Sequence, residues 1–168
     1  MVAAGPSERL VVVGAGMAAA RLVKEIGARC PDRYAVTLVG AERHAPYDRI
    51  ALSSLLAGER AADRLGLLGA AELARLDLRL GETVAGIDRE ARTVRLAGGA
   101  TIPYDRLVLA TGSQAFRLPL PGADLEGVVT FRDLADAERL VAATGSAVVI
   151  GGGLLGLEAA YGLLQHGH

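Results

Sequence analysis

The sequence predicts an α/β protein: a parallel sheet with crossover helices, a small antiparallel β-meander beside it, and the opening of a second strand–turn–helix unit. Three observations carry that prediction. Two short, unbroken apolar runs, 10–13 and 147–150, each end in a glycine-rich turn, and uninterrupted apolar strands belong to parallel sheets covered on both faces. Each turn leads into Ala- and Leu-rich sequence of helical character. Between the two turns, residues 78–102 alternate in polarity and are punctuated by turn residues, as antiparallel strands are.

Taken in order, strand 10–13 leads through Gly14 into a helix over 17–26, where Leu22, Val23 and Ile26 share a face for packing on the sheet. Pro31 closes that helix, and 35–39 is the next strand, completing a strand–helix–strand unit of about 30 residues. Residues 52–76 carry Leu and Ala at helical intervals broken around Gly58 and Gly66, which predicts two short helices. The stretches 78–80, 83–88, 93–96 and 101–102 are expected to form the antiparallel meander, with turns at 88–91 and Gly98-Gly99. Residues 106–110 form another apolar strand ending at Thr111-Gly112, followed by a Pro-rich connection over 118–122 and a helix over 134–143. Strand 147–150, turn 151–156 and helix 157–165 repeat the opening pattern. No returning strand follows, so this second unit is expected to be unfinished and the chain a fragment or truncated product. The expected division is 1–115, then a connection and helix over 116–145, then the start of a second nucleotide-binding domain over 146–168.

With 168 residues and a 51% hydrophobic share, the chain can bury a core for one domain and part of another. Eighteen basic and nineteen acidic residues leave a net charge of -1, which gives no field to attract nucleic acid or an anionic membrane. Small molecules become the expected ligands. A single cysteine, Cys30, cannot make an intramolecular disulfide, a Cys-x-x-Cys redox pair or a metal cluster, so redox chemistry must be borrowed from a cofactor and no metal site is expected. The start of the sequence lacks a signal-peptide pattern, and no apolar run approaches the ~20 residues of a membrane span, so a cytoplasmic location is expected.

The chemistry concentrates in the two glycine turns. V-V-V-G-A-G-M-A-A-A places Gly14, Gly16 and Ala19 in the G-x-G-x-x-G/A pattern: the first for a tight turn, the second for close backbone approach to a diphosphate, the third for helix–strand packing. The following helix N-terminus offers free N–H groups and a partial positive charge. Glu42, twenty-three positions after Ala19, stands where an acid can accept hydrogen bonds from an adenosine ribose. V-V-I-G-G-G-L-L-G-L-E places Gly151, Gly153 and Gly156 in the same pattern. Two copies suggest separate sites for FAD and NAD(P)H, the second including Leu154, Leu155 and Glu158. Glu158 is expected in the first turn of its helix, where stabilising the helix dipole is an equally good reading.

The ordered motifs G-A-G-M-A, L-V-G-A-E-R-H-A-P-Y-D-R, L-S-S-L-L-A-G-E, A-T-G-S and G-G-G-L-L-G-L-E-A-A-Y-G-L resemble the FAD/NAD(P)-dependent pyridine nucleotide-disulfide oxidoreductases, the flavoproteins with two dinucleotide-binding domains. Within them the resemblance is to the N-terminal flavin module of the assimilatory nitrite reductase large subunit, and it runs from Leu10 to His168. It implies a Rossmann-like FAD-binding domain, with Gly14, Ala15, Gly16, Met17 and Ala18 lining the FAD pyrophosphate and Glu42 and Arg43 at the adenosine end. It further implies that Arg49 and Ser53 lie toward the flavin half, that Val84 offers backbone to the adenine, and that Ala110, Thr111 and Gly112 close over the cofactor.

Two departures qualify the resemblance. Ferredoxin- and rubredoxin-type relatives generally place a Lys after the L-S that follows P-Y-D-R, whereas Ser54 follows Ser53 here; nitrite reductase types also replace that lysine. The family's later Gly-Asp segment, which contacts the flavin side, falls outside the sequence. The implied activity is hydride transfer from NAD(P)H to flavin, then electron release to a downstream redox domain or protein; no catalytic side chain is singled out, and a homo-oligomer is compatible. His44 reads as a solvated loop residue. Three alternatives stay open: a rubredoxin or ferredoxin reductase-like flavoprotein, a non-catalytic FAD- or nucleotide-binding fragment, and a single-nucleotide enzyme whose second turn is structural.

Overall fold

The computed structural model describes residues 7–168, and the chain divides into two compact units: residues 7–47 with 66–112, and residues 48–65 with 113–168. No helix among the described residues is long and apolar enough to cross a membrane.

The first unit is built on a four-stranded parallel sheet in the order β3-β2-β1-β7, from β1 (Glu8–Val13), β2 (Tyr34–Gly40), β3 (Leu76–Leu80) and β7 (Arg106–Leu109). Helix α1 (Met17–Arg29) makes the crossover from β1 to β2. A three-stranded antiparallel sheet, β4 (Val84–Asp88), β5 (Thr93–Leu96) and β6 (Thr101–Pro103), follows in the order β4-β5-β6. The apolar run of β1 is explained by its two covers. Leu10 and Val12 face Ala19, Ala20 and Val23 of α1, whereas Val11 and Val13 join Val94, Leu96 and Tyr104 of the meander side. Alternate residues of a strand point to opposite faces, so both must be apolar when both faces are covered. Each fully buried aliphatic side chain contributes roughly 1.5–3 kcal/mol relative to exposure.

One expectation is corrected here. Residues 78–80 are not part of the antiparallel meander: β3 begins at Leu76 and pairs in parallel with β2, Val36 opposite Leu76 and Leu38 opposite Leu78. The polarity alternation of L-D-L-R-L has a different cause. β3 is a sheet edge whose Leu76 and Leu78 pack on the α1 side, while Asp77 and Arg79 pair with each other at 3.0 Å on the accessible face. Alternation reports one exposed face and says nothing about strand direction.

At the start of β1, Asp105 clamps the strand. Its carboxylate accepts from the Arg9 backbone N–H at 2.8 Å and from the guanidinium at 3.0 and 2.8 Å, while its own N–H donates to the Arg9 carbonyl at 2.9 Å. The guanidinium hydrogen bonds, then the backbone N–H, hold the Asp105 carboxyl well below the usual carboxylate range, and the same pairing raises Arg9.

The chain leaves this unit after Tyr47 and re-enters at Gly66, two residues that form an isolated antiparallel bridge, beside which Leu67 N–H donates to Pro46 carbonyl at 2.9 Å. The second unit holds a 3₁₀ turn Arg49–Ala51, helix α2 (Leu52–Leu56), a 3₁₀ turn Ala62–Arg64, helix α4 (Leu134–Ala142) and helix α5 (Leu154–Gln165); α3 (Ala70–Leu73) belongs to the first unit. Helix α2 packs on both α4 and α5, with Leu52, Leu56, Leu134, Ala137, Ala159 and Leu163 buried. The approach of α5 is close: a Cβ on Gly162 would lie 2.6 Å from Leu56 Cγ. Asp133 caps α4 by accepting from Asp136 N–H at 2.9 Å, and the buried Asp136 accepts from Thr130 Oγ1 at 2.8 Å and Arg132 N–H at 2.9 Å.

A second correction falls in this unit. Residues 147–150 form no strand, and α5 starts at Leu154 rather than 157. Val148 is 88% exposed and Ile150 71% exposed, because no neighbouring strand among the described residues offers a ladder.

Candidate functional site

The first glycine turn is shaped by three close approaches within the first unit. Gly14 has φ +108°, a region that side chains other than glycine rarely enter, and its N–H donates to Val39 carbonyl at 2.7 Å. A Cβ there would stand 2.1 Å from the Ala110 carbonyl oxygen and 2.9 Å from Thr111 N. The outgoing end of β7 therefore lies against the turn, and Ala110 N–H closes it by donating to Val13 carbonyl at 2.7 Å. On the other flank Gly40, the last residue of β2, admits Ala15, whose Cβ would be 2.5 Å from any Cβ at 40.

What remains open is the N-terminus of α1. Gly16 caps it with extended backbone, no side chain accepts from its first N–H groups, and a Cβ on Gly16 would meet nothing within 4 Å. The first intrahelical donor is Ala20, to Gly16 carbonyl at 3.0 Å, so the amides of Met17, Ala18 and Ala19 have no acceptor inside the helix. No acidic residue occupies the first turn, so the positive end of the helix dipole is not neutralised there. Free amides and a positive dipole end together suit an anion.

Glu42 follows two residues after Gly40, with its carbonyl accepting from Gly81 N–H at 2.9 Å. Its carboxylate Oε2 accepts from the Tyr47 hydroxyl at 2.6 Å, and Tyr47 is only 6% exposed. His44 meets the Tyr47 ring edge-on at 6.4 Å between centroids. Arg43 is exposed, its Cγ 3.4 Å from where a Gly81 Cβ would be, and Val84 opens β4 opposite Leu96. Gly14 to Ala18, Glu42, Arg43, Val84 and Ala110 to Gly112 thus all belong to the first unit.

Arg49, Ser53, Gly151, Gly153, Leu154, Leu155, Gly156 and Glu158 all belong to the second. Arg49 donates to the Arg132 carbonyl at 3.0 Å, and Arg132 donates to Ser113 Oγ at 2.7 Å while its buried Nε has no hydrogen-bond partner. In the second turn Gly153 is the extended N-cap of α5, again without a side-chain cap, and a Cβ there would meet nothing within 4 Å. Gly156 packs within its own turn and not against a strand: a Cβ would lie 2.0 Å from the Gly151 carbonyl oxygen. Glu158 sits a turn later than expected, because α5 begins at Leu154, and its carboxylate accepts a hydrogen bond from the Ser53 hydroxyl.

A family model described as pyridine nucleotide-disulphide oxidoreductase matches residues 8–168. The chain belongs to that family. Among its relatives, a nitrite reductase [NAD(P)H] of Bacillus subtilis (strain 168) is 45% identical over 165 residues, covering 95% of this chain and 20% of the relative. The ferredoxin–NAD(+) reductase component of the biphenyl dioxygenase system of Paraburkholderia xenovorans (strain LB400) is 38% identical over 159 residues, covering 91% of this chain and 38% of the relative. Among solved structures, the covalent putidaredoxin reductase–putidaredoxin complex superimposes with a TM-score of 0.77 at 34% identity, covering 96% of this chain and 41% of that one. The chain thus spans between a fifth and two fifths of the length of these oxidoreductases.

Three residues with a part in the geometry escape a reading of the sequence alone. Gly40 lies in G-A-E, where only the contact with Ala15 reveals its purpose. Tyr47 reads as a core aromatic until its hydroxyl is seen on Glu42. Arg132, in F-R-D-L, looks like a surface arginine before α4, and the signal is its buried Nε.

Proposed function

We propose that the chain is the flavin-binding, NAD(P)H-linked part of an electron-transfer oxidoreductase of the nitrite reductase large-subunit type. FAD binds at the first glycine turn, and NAD(P)H is addressed by the second. The observation that carries this reading is the uncapped N-terminus of α1 beside Gly16, at the carboxyl end of β1, where open sheets of this class hold ligands. The residues fit a dinucleotide: the amides of Met17 and Ala18 face a diphosphate, Gly14, Ala15 and Gly16 keep that approach clear, and Glu42 accepts from the adenosine ribose with Arg43 nearby. Val84 offers backbone to the adenine, and Ala110, Thr111 and Gly112 bound the pocket from β7. In the second unit, Arg49 and Ser53 serve the flavin half, and Arg132 has a donor to spare in its buried Nε. The second turn, with Gly151, Gly153, Leu154, Leu155, Gly156 and Glu158, repeats the cradle for the nicotinamide dinucleotide.

A bound flavin would accept hydride from NAD(P)H and pass electrons on singly or in pairs. The side chains and amides of the protein bind and orient the two nucleotides; none is assigned a proton-transfer step. The acceptor is a redox protein or domain, by analogy with the putidaredoxin reductase that was solved joined to putidaredoxin. The location is cytoplasmic. Titration of the purified chain with FAD checks this directly: binding resolves the flavin absorption bands in the blue, and adding NADH with an artificial dye gives turnover. An unchanged flavin spectrum at high micromolar protein defeats the proposal.

A second reading is favoured by the unpaired 147–150 segment: the chain holds FAD, but its second turn, fed by an unladdered and exposed segment, does not retain NAD(P)H. Flavin colour without dye reduction selects that reading.

A further inference from the structure

Resting on the assignment of the first glycine turn to an adenine dinucleotide, we propose that Tyr47 is a positioning residue that gives the site its preference for a ribose with free hydroxyls. The argument starts from Gly40. Because Gly40 packs against Ala15 of the turn, the end of β2 is pinned to the diphosphate cradle, and Glu42 follows two residues later on the same rim. Backbone bonds from Gly81 to the Glu42 carbonyl at 2.9 Å and from Glu82 to the Gly40 carbonyl at 3.0 Å fix the main chain there. They act on the main chain and do not themselves set the carboxylate torsions. A glutamate side chain has three rotatable bonds, and restricting them on binding costs affinity.

Tyr47 restricts that freedom. Its ring is buried at 6% exposure and its hydroxyl donates to Glu42 Oε2 at 2.6 Å, a short, charge-assisted bond. Tyr47 is itself held by its backbone bridge to Gly66, and its ring stands perpendicular to that of His44. One carboxylate oxygen is thus tied to the core, and the direction of the group as an acceptor is set before any ligand arrives. A carboxylate has about four lone-pair positions, so accepting from Tyr47 leaves acceptor capacity for a ribose diol. Preorganisation of this kind acts only on ligands that donate to the carboxylate.

That selectivity is the test. Binding of ADP and of 2′,3′-dideoxy-ADP to the full chain is measured by titration calorimetry for wild type, Tyr47→Phe, Glu42→Gln and the double variant. Wild type is expected to prefer ADP. Tyr47→Phe weakens ADP by roughly five- to tenfold while leaving the dideoxy nucleotide within about twofold, consistent with one hydrogen bond to a charged group. Glu42→Gln also loses the preference, and adding Tyr47→Phe to it changes little further, the signature of two residues acting through one path. The proposal is overturned if Tyr47→Phe weakens both nucleotides equally, which marks a purely structural role, or if it keeps the wild-type preference. Should Tyr47→Phe fail to fold, Tyr47→Leu, which also removes the hydroxyl, is compared in its place: selective weakening of ADP supports the proposal, and equal weakening of both nucleotides or an intact preference overturns it. Wild type binding neither nucleotide overturns the parent assignment as well, whereas wild type binding both equally overturns this inference alone.

Discussion

In the first glycine turn Val13 arrives from a strand paired on both sides, with Val12 wholly buried; in the second, Ile150 arrives from a segment without a ladder, with Val148 88% exposed. Beyond the turn the two are alike. Each helix opens at an extended glycine N-cap with no side-chain acceptor, and each turn contains a glycine where a Cβ would collide with a carbonyl oxygen about 2 Å away: Gly14 with Ala110, and Gly156 with Gly151. The uncapped helix start is local, a few free amides in one turn, and the motif builds it in both; the partners that press on the turn differ, since Gly14 meets Val39 and Ala110 from distant strands whereas Gly156 meets Gly151 within its own turn. A strand satisfies its backbone only through a lateral neighbour, and no motif supplies that.

The largest test of the comparison is steric. Gly14→Ala must overcome both the positive φ and a collision with backbone that β7 holds in place, so it should cost roughly 3–5 kcal/mol. Gly156→Ala meets the Gly151 carbonyl in an exposed turn that can shift, and about 1–2 kcal/mol is expected. Gly16→Ala meets no protein atom, so stability should hold within about 0.5 kcal/mol while FAD affinity falls. Urea denaturation of the three variants decides it; equal losses at positions 14 and 156 would remove the distinction.

Amide exchange gives a smaller readout without mutation. The N–H groups of β1 at Val11 and Val12 should exchange at least about a thousandfold more slowly than those of residues 148–150. Comparable protection in the two segments, measured by hydrogen exchange with mass spectrometry, would show that 147–150 finds a ladder in solution.

The smallest effect concerns the Asp105 clamp, which staples the start of β1. Since Arg9 lowers the folded-state pKa of Asp105, its contribution is present above the ordinary carboxylate range and is lost as pH falls through that range toward the lower folded value. The pair is accessible to solvent, so the contribution is modest. Asp105→Asn should therefore lower the melting temperature slightly at pH 7 and flatten its decline between about pH 5 and pH 2. A variant with an unaltered acid profile would deny the clamp its electrostatic part.

Much of the first unit was legible in its residues. The apolar runs of β1, β2 and β7, the G-x-G-x-x-A turn and the meander with its turn at Gly98-Gly99 are where the patterns put them. Two patterns misled. L-D-L-R-L alternates like a meander strand yet lies in the parallel sheet, because an edge strand also shows one face to water. A-V-V-I reads as a buried strand yet stands exposed, because an apolar run signals a capacity to be buried and cannot supply the cover. The grouping of 48–65 with 113–168 had no local signal either, since it depends on α2 packing against α4 and α5 far along the chain. The candidate site divided the same way, with glycines and Glu42 readable from spacing and Gly40, Tyr47 and Arg132 visible only through their contacts.

By itself, then, the sequence determined what short-range physics decides: the two turns, the helices that leave them, the apolar character of each strand, and membership of a redox family marked by glycines at set intervals. The tertiary structure alone decided which strands are paired, that β3 is parallel, where α5 begins, and which side chain holds the Glu42 carboxylate. Glycine spacing constrains backbone within a few residues, whereas strand pairing and side-chain aim depend on partners that only folding brings together.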